Sequence, residues 1–360
     1  MTRVFYAVFT LFALLASCCN NEAKGMITAP DITISSAEHA ALRRALEGAA
    51  RFAGATSPNP PVGCVLLDED GAVLAEGYHM KAGEAHAEAM AIASARTLGV
   101  SGRIHTVVVT LEPCNHHGRT PPCSDAILAT PARRVIIGAA DPNPSVKGGG
   151  AARLKAAGLD VVFIDDDPEL RGQSVAARRL IAPFAKHART GRPWVTVKQA
   201  VDETGGMAPP AGRKTFTSKS SLVFAHRLRR RADAILTGSG TVLADDPEFT
   251  VRHVPDFPGK RRFLALLDRR GRVPQRYLEA ARARGFTVLN PAGLDEAIAM
   301  LGARGALEVL VEAGPSLTAA VLNAGLADEH VLITKGNPDH IAITHANPEF
   351  DAVKGPGEDQ

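Results

Sequence analysis

Apolar positions in the first half of the chain alternate between two spacings. After Ser35-Ser36, a pair able to cap a helix, Leu42, Leu46 and Ala49 recur at helical spacing and predict a helix through about Ala53. Two apolar runs, Val62 to Leu67 and Ala72 to Gly77, flank Asp68-Glu69-Asp70-Gly71, which reads as a hairpin. The run Glu84 to Leu98 is helical. Strand Thr106 to Thr110, a helix from near Cys123, strands Arg134 to Gly138 and Asp160 to Ile164, and a helix Ala151 to Ala157 follow. This alternation predicts a mixed sheet with helices on both faces.

A long helix from Pro168 to Ala188, closed by Arg189-Thr190-Gly191-Arg192-Pro193, predicts a junction, after which the alternation starts again at Trp194 to Gln199. Strands Asp233 to Thr237, Arg262 to Leu267, Phe286 to Leu289 and Glu308 to Val311 interleave with helices near Ser218 to Arg230, Leu294 to Gly302 and Pro315 to Ala324. The expected organisation is an extension over 1–25, an α/β domain over 26–175, a helical linker over 176–193, a second α/β domain over 194–336 and a polar tail over 337–360.

Length supports this division, because 360 residues exceed one ordinary core. With 41 Lys and Arg against 38 Asp and Glu, the net charge of +3 gives no whole-chain pull toward nucleic acid, so a small-molecule partner is expected. The basic runs Arg227 to Arg231 and Lys260-Arg261-Arg262 read as solvated faces. Five cysteines, an odd count, fit a reducing compartment better than a disulfide framework.

The chemistry concentrates between residues 86 and 123. His86, Cys114 and Cys123 offer one imidazole and two thiolates, three ligands that suit zinc and leave a fourth tetrahedral position for water, as in a catalytic site. Glu88, two residues after the histidine, can stand beside that water and carry its proton to a leaving amine. A structural site closed by His79, His116 or His117 is the alternative, but it has no use for Glu88. Cys64 lies in an apolar run and reads as a buried thiol.

The pattern His86-Ala87-Glu88 with Pro113-Cys114 and Cys123 resembles the zinc-dependent nucleobase deaminases. Their usual two-residue gap between cysteines is replaced by eight residues, Asn115 to Pro122. With Leu111-Glu112-Pro113-Cys114, Ser57-Pro58-Asn59-Pro60-Pro61-Val62-Gly63, Gly83-Glu84-Ala85-His86 and Asp141-Pro142-Asn143-Pro144, that gap resembles the bifunctional deaminase/reductase family of riboflavin biosynthesis, from about Ser36 to about Asp328. The resemblance implies an N-terminal cytidine-deaminase-like α/β/α sandwich and a C-terminal dihydrofolate-reductase-like α/β domain. It further implies Zn2+ and NADPH as cofactors and a pyrimidine ribosyl phosphate as substrate, deaminated by a zinc-activated water and then reduced from ribosyl to ribityl. Asn59 is the candidate for orienting the pyrimidine, and the Arg119 and Lys147 region for its polar or phosphate groups.

In the second domain, small residues follow strands at Thr237-Gly238-Ser239-Gly240-Thr241 and Glu312-Ala313-Gly314-Pro315-Ser316. Such turns admit phosphate oxygens to backbone N–H groups, although most are only turns. Carried over by position, the resemblance implies cofactor contacts at Ala200, Thr241, Asp245, Gly314, Pro315 and Ser316, and substrate contacts at Arg229, Phe249, Arg252 and Glu312. The chain departs from the family pattern at Asp202-Glu203-Thr204-Gly205, at Gly212-Arg213-Lys214-Thr215-Phe216-Thr217-Ser218, in a short segment between Arg272 and Leu307, and beyond Asp328.

Arg3, the apolar run Val4 to Ala16 and Leu15-Ala16-Ser17-Cys18 resemble a bacterial lipoprotein signal. A thiol-ligated zinc and a reduced nicotinamide belong in the cytoplasm. A mis-assigned start or a non-functional extension, with Met26 shortly before the family-like sequence, is therefore the expectation. Three other readings stay open: a deaminase with an inactive reductase-like partner, a deaminase of another base, and a lipid-anchored zinc-binding protein resting on the first 18 residues. Aromatic residues at 5% leave little for stacking a nucleic-acid strand, and self-association into a homo-oligomer is open.

Overall fold

A computed structural model describes residues 33–115, 121–143, 149–208 and 215–352. The signal-like segment lies outside them, as do Arg119, Lys147, His116, His117 and Gly212 to Lys214. Residues from Ile34 onward form one compact unit built on two sheets.

Helix α1 (Ser36–Ala50) starts as the serines predict: Ser35 Oγ accepts from Glu38 N at 3.2 Å, and Glu38 returns a carboxylate oxygen to Ser35 N at 2.8 Å. The hairpin of β1 (Gly63–Leu67) and β2 (Val73–Tyr78) turns at Gly71, whose φ of 83° favours glycine. Then come α2 (Ala87–Thr97), β3 (Thr106–Val109), α3 (Cys123–Leu128), β4 (Arg134–Ile137), α4 (Gly149–Ala156) and β5 (Asp160–Phe163). The sheet order is β2-β1-β3-β4-β5, with β1 antiparallel to β2 and β3 and the rest parallel. α1 buries Leu42, Ala45 and Leu46 on one face, and α2 buries Ala91, Ile92 and Ala95 on the other, which is the three-layer arrangement.

The single helix expected from Pro168 to Ala188 is two, α5 (Arg171–Leu180) and α6 (Ala182–Thr190). Pro183 has no N–H to donate and is tolerated only in a first turn, so the chain restarts there. Nor is 176–193 a mere linker, because Ala176, Ala177, Leu180 and Ile181 complete the first core. α6 ends at Gly191 with φ 67°, a left-handed cap that glycine adopts without strain.

The second half comprises β6 (Trp194–Val201), α7 (Lys219–Arg231), β7 (Ala234–Gly238), α8 (Ser239–Asp245), β8 (Arg262–Leu267), α9 (Gln275–Ala283), β9 (Phe286–Leu289), α10 (Leu294–Gly302), β10 (Glu308–Val311), α11 (Pro315–Asn323), β11 (Glu329–Thr334) and β12 (His340–His345). Its sheet runs β12-β11-β6-β10-β7-β8-β9, parallel except for the edge strand β12. α7 and α9 cover one face, and α10 and α11 the other.

Two expectations are corrected here. The chain beyond Gly336 is no simple polar tail: β12 pairs with β11, and Phe350 packs with Trp194, Val175 and Ala182 at the junction of the halves. Of the run Arg227 to Arg231, Arg227 is exposed as expected, but the last three residues are not a solvated face. Arg229 pairs with Glu312, Arg231 lies between Glu308 and Glu329, and Arg230 stacks on Phe257 at 4.0 Å. Likewise Lys260 and Arg262 are spent on Asp233 and Asp256.

Candidate active site

His86 is the N-cap of α2, just ahead of the helix rather than inside it, and Glu88 sits in the first turn. Cys123 opens α3, and Cys114 lies in the loop that leaves β3. Two helix N-termini therefore converge on the thiols, where their partial positive charge favours thiolate. Close packing fixes these starts. A Cβ at Gly77 would lie 2.2 Å from Ala87 O, and one at Gly150 1.8 Å from Pro113 O, so only glycine lets the backbones approach. Glu112 pins the same loop by accepting from Ala151 N at 3.1 Å and Asp141 N at 3.2 Å.

The ligand atoms of His86, Cys114 and Cys123 lie within 4.8 Å of one another. His86 Nδ1 stands 3.3 Å from Cys123 Sγ and 3.6 Å from Cys114 Sγ. A tetrahedron with bonds of about 2.0–2.3 Å has edges of roughly 3.5 Å, so the set fits zinc without rearrangement. Cys123 holds the Cys114 thiol well below the ordinary thiol range, with His86 helping, while Cys114 and burial push the Cys123 thiol up. Metal binding by such a pair is coupled to release of thiol protons.

Glu88 is 3% exposed, and its Oε2 is buried without a hydrogen-bond partner among the described residues. Burial raises its pKa. An orphaned carboxylate oxygen beside a three-ligand group fits a water on the fourth position. His79 does not close the shell. Its Nδ1 faces Ala85 O at 3.1 Å, and because a carbonyl only accepts, Nδ1 carries the proton and Nε2 accepts from Asn59 Nδ2 at 3.3 Å. Burial keeps this ring neutral by lowering its pKa. Asn59 thereby has its amide nitrogen committed to His79 and its oxygen available to a cavity of about 240 Å³ lined also by His86, Glu88 and Cys114. A larger cavity, about 520 Å³, lies between the halves but contains no ligand cluster among its described residues. Cys64 is a buried strand thiol, as expected, and burial raises its pKa.

In the second half the two small-residue turns abut, with Gly314 N donating to Thr241 Oγ1 at 2.9 Å. Gly238 caps α8 and Gly314 caps α11, which begins Pro315-Ser316. Asp245 is the exposed last residue of α8, and Ala200 is partly buried in β6. Glu312 is buried between Arg229, whose Nε donates at 2.8 Å, and Lys198, whose Nζ is 3.5 Å away. Burial works against the Glu312 charge, but these two cations outweigh it and lower its pKa. The Phe249 ring lies 5.9 Å from the Arg229 guanidinium carbon. The Arg252 side chain is instead exposed and turned to Glu248 and Thr250, while its N–H donates to His226 Nδ1 at 2.8 Å. Sequence reasoning missed Lys198, though a lone lysine in the apolar strand Trp194–Val201 was the available signal. The departure at Asp202 to Gly205 forms its own turn, with Asp202 Oδ1 accepting from Thr204 N and Gly206 N, each at 2.8 Å.

Residues 35–139 match the cytidine and deoxycytidylate deaminase zinc-binding region, and residues 193–335 match the RibD C-terminal domain. The riboflavin biosynthesis protein RibD of Escherichia coli is 37% identical over 325 residues, spanning 81% of this chain and 85% of its own length. The chain belongs to the RibD family. RibD of Mycobacterium tuberculosis is 38% identical over 287 residues, covering 79% of this chain and 81% of its own. A solved deaminase/reductase from Thermotoga maritima superposes with a TM-score of 0.70 at 32% identity, and Acinetobacter baumannii RibD with 0.69 at 31%, each covering 83% of this chain and 86% of the other. As a RibD-family member this is a riboflavin-biosynthesis enzyme with a cytidine-deaminase-like half and a dihydrofolate-reductase-like half, deaminating and then reducing.

Proposed function

We propose that the first half removes the amino group of a diaminopyrimidinone ribosyl phosphate and that the second half reduces the ribosyl chain of the product with NADPH. The observation that carries the first step is the unpartnered Glu88 Oε2 beside His86, Cys114 and Cys123. Those three would hold zinc, which when bound lowers the pKa of water to about 7 and so supplies hydroxide at neutral pH. Glu88, its affinity for a proton raised by burial, takes the proton and delivers it to the departing amine, so ammonia leaves. Asn59, its amide oriented by His79, accepts from the pyrimidine edge in the 240 Å³ cavity.

For the second step, Thr241, Asp245, Ala200 and the turn Gly314 to Ser316 are assigned to NADPH, which supplies the hydride. Arg229, Phe249, Arg252 and Glu312 are assigned to the substrate, with Lys198 added on its contact with Glu312. The exposed Arg252 guanidinium and the half-buried Arg229 suit the substrate phosphate. Both steps belong to a reducing compartment, and we place the enzyme in the cytoplasm; among the described residues no helix is long and apolar enough to cross a membrane. The purified zinc-loaded chain should release ammonia from the pyrimidine phosphate without NADPH, and should oxidise NADPH only once deaminated product is present. Absence of ammonia release would overturn the deaminase assignment, and product that never oxidises NADPH would overturn the reductase assignment.

A further inference from the structure

We propose that Asp233, at the entry to β7 in the reductase half, is a positioning residue for deamination in the other half, acting through Ser57 on the loop that carries Asn59. The proposal rests on the reading of Asn59 as the group that orients the pyrimidine.

Residues 51–59 leave α1 and end as a wall of the deaminase cavity. Their other side lies on the reductase half at three points. The backbone of Gly54 is pressed on Arg231, since a Cβ there would stand 2.1 Å from Arg231 O. Arg230 Nη2 donates to Arg51 O at 3.2 Å. Ser57 Oγ donates to Asp233 Oδ2 at 2.9 Å.

Asp233 is a fixed acceptor. It is 7% exposed, its Oδ2 also receives Leu307 N at 2.9 Å and Glu308 N at 3.2 Å, and its Oδ1 faces Lys260 Nζ at 3.2 Å. Ser57 is bound to a carboxylate that cannot drift. Two residues on, Asn59 N donates to Thr56 O at 2.8 Å, closing the turn, and its side chain meets His79. The cavity wall is thus held from inside by His79 and from outside by Asp233. Glu88 and the three metal-ligating residues lie on other elements, so loosening this loop affects how the ring is held and leaves the proton relay in place.

Ser57→Ala removes the hydroxyl and leaves Asp233 its other partners. It should raise KM for deamination roughly three- to tenfold, because only part of what one hydrogen bond to a charged group contributes, about tenfold or more in full, passes through the loop to the ring, with kcat changed less than about twofold. Zinc content and the kinetics of reduction should be unchanged. Ser57→Thr, which keeps a hydroxyl, should restore KM. Adding Asp233→Asn to Ser57→Ala should raise KM no further, since one contact has already been removed. An unchanged KM in Ser57→Ala, or multiplicative effects in the double variant, would overturn the proposal. Asn59→Ala separates the two levels. If it deaminates normally, the reading of Asn59 fails and the proposal with it; if it is impaired while Ser57→Ala is not, the proposal alone fails.

Discussion

Replacing Gly77 with alanine puts one methyl group between β2 and the helix that carries Glu88. The added Cβ would lie 2.2 Å from Ala87 O and 2.3 Å from Ala91 N. Both are helix backbone, so no side chain can rotate away, and ordinary contact returns only if α2 moves off the sheet by about 1 Å. His86 and Glu88 travel with α2, whereas Cys114 and Cys123 belong to a loop and to α3. A misplacement of about 1 Å costs on the order of a hundredfold in rate, about 2.7 kcal/mol of barrier. Overpacking adds roughly 1–3 kcal/mol of lost stability. Ammonia release should therefore fall about a hundredfold, while NADPH oxidation on deaminated substrate, measured on the same preparation, stays at the parent rate. Gly102→Ala is the control, because nothing lies within 4 Å of its Cβ. Wild-type deamination with full zinc in Gly77→Ala would refute the claim that this close approach sets the site.

Arg231→Met strands the buried carboxylates of Glu308 and Glu329, whose side chains are 4% and 5% exposed, and should cost about 3–5 kcal/mol, read as a Tm lower by roughly 6–20 °C; a Tm within about 2 °C of the parent would show the cluster contributes nothing. Gly314→Val should fold, since a Cβ there meets only Thr241 Oγ1 at 3.6 Å, yet it should weaken NADPH binding at least about tenfold by keeping phosphate from the backbone; unaltered binding by titration removes that turn from the cofactor site. Burial, reinforced by Arg229, His253 and Arg252, lowers the His226 pKa to about 4. The unfolded chain takes up that proton near pH 6.5, so this contribution is complete above about 6.5 and lost as pH falls toward 4. His226→Asn, which retains an acceptor for Arg252 N–H, should flatten the decline of Tm over that window, and an unchanged slope would argue against a buried neutral ring.

Much of the site was legible because its chemistry is written locally. His86 and Glu88 are two residues apart, and Pro113-Cys114 and Cys123 bracket one loop, so spacing alone pointed to three side chains that the structure brings together and to a carboxylate in the first turn after His86. Strands β8, β9 and β10 were equally legible as apolar runs between turn residues. What escaped depends on partners far along the chain. Arg229, Arg230 and Arg231 look like a charged face, yet Arg231 meets acids 77 and 98 residues away. No local pattern encodes those pairings. β12 escaped because an edge strand with one solvated side carries few apolar residues, and His340–His345 has only Ile341, Ala342 and Ile343. The break between α5 and α6 could have been read, since Pro183 stands inside the proposed helix.

The central claim, that Glu88 carries the proton at a site His86, Cys114 and Cys123 hold open for zinc, is tested most directly by measuring metal content and ammonia release together in Glu88→Gln. The variant should bind zinc stoichiometrically, because Glu88 is not one of the clustered ligands, and should lose on the order of a hundred- to ten-thousand-fold in ammonia release. Cys114→Ser, run beside it, should lose the metal itself. Near wild-type ammonia release from zinc-loaded Glu88→Gln would contradict the account.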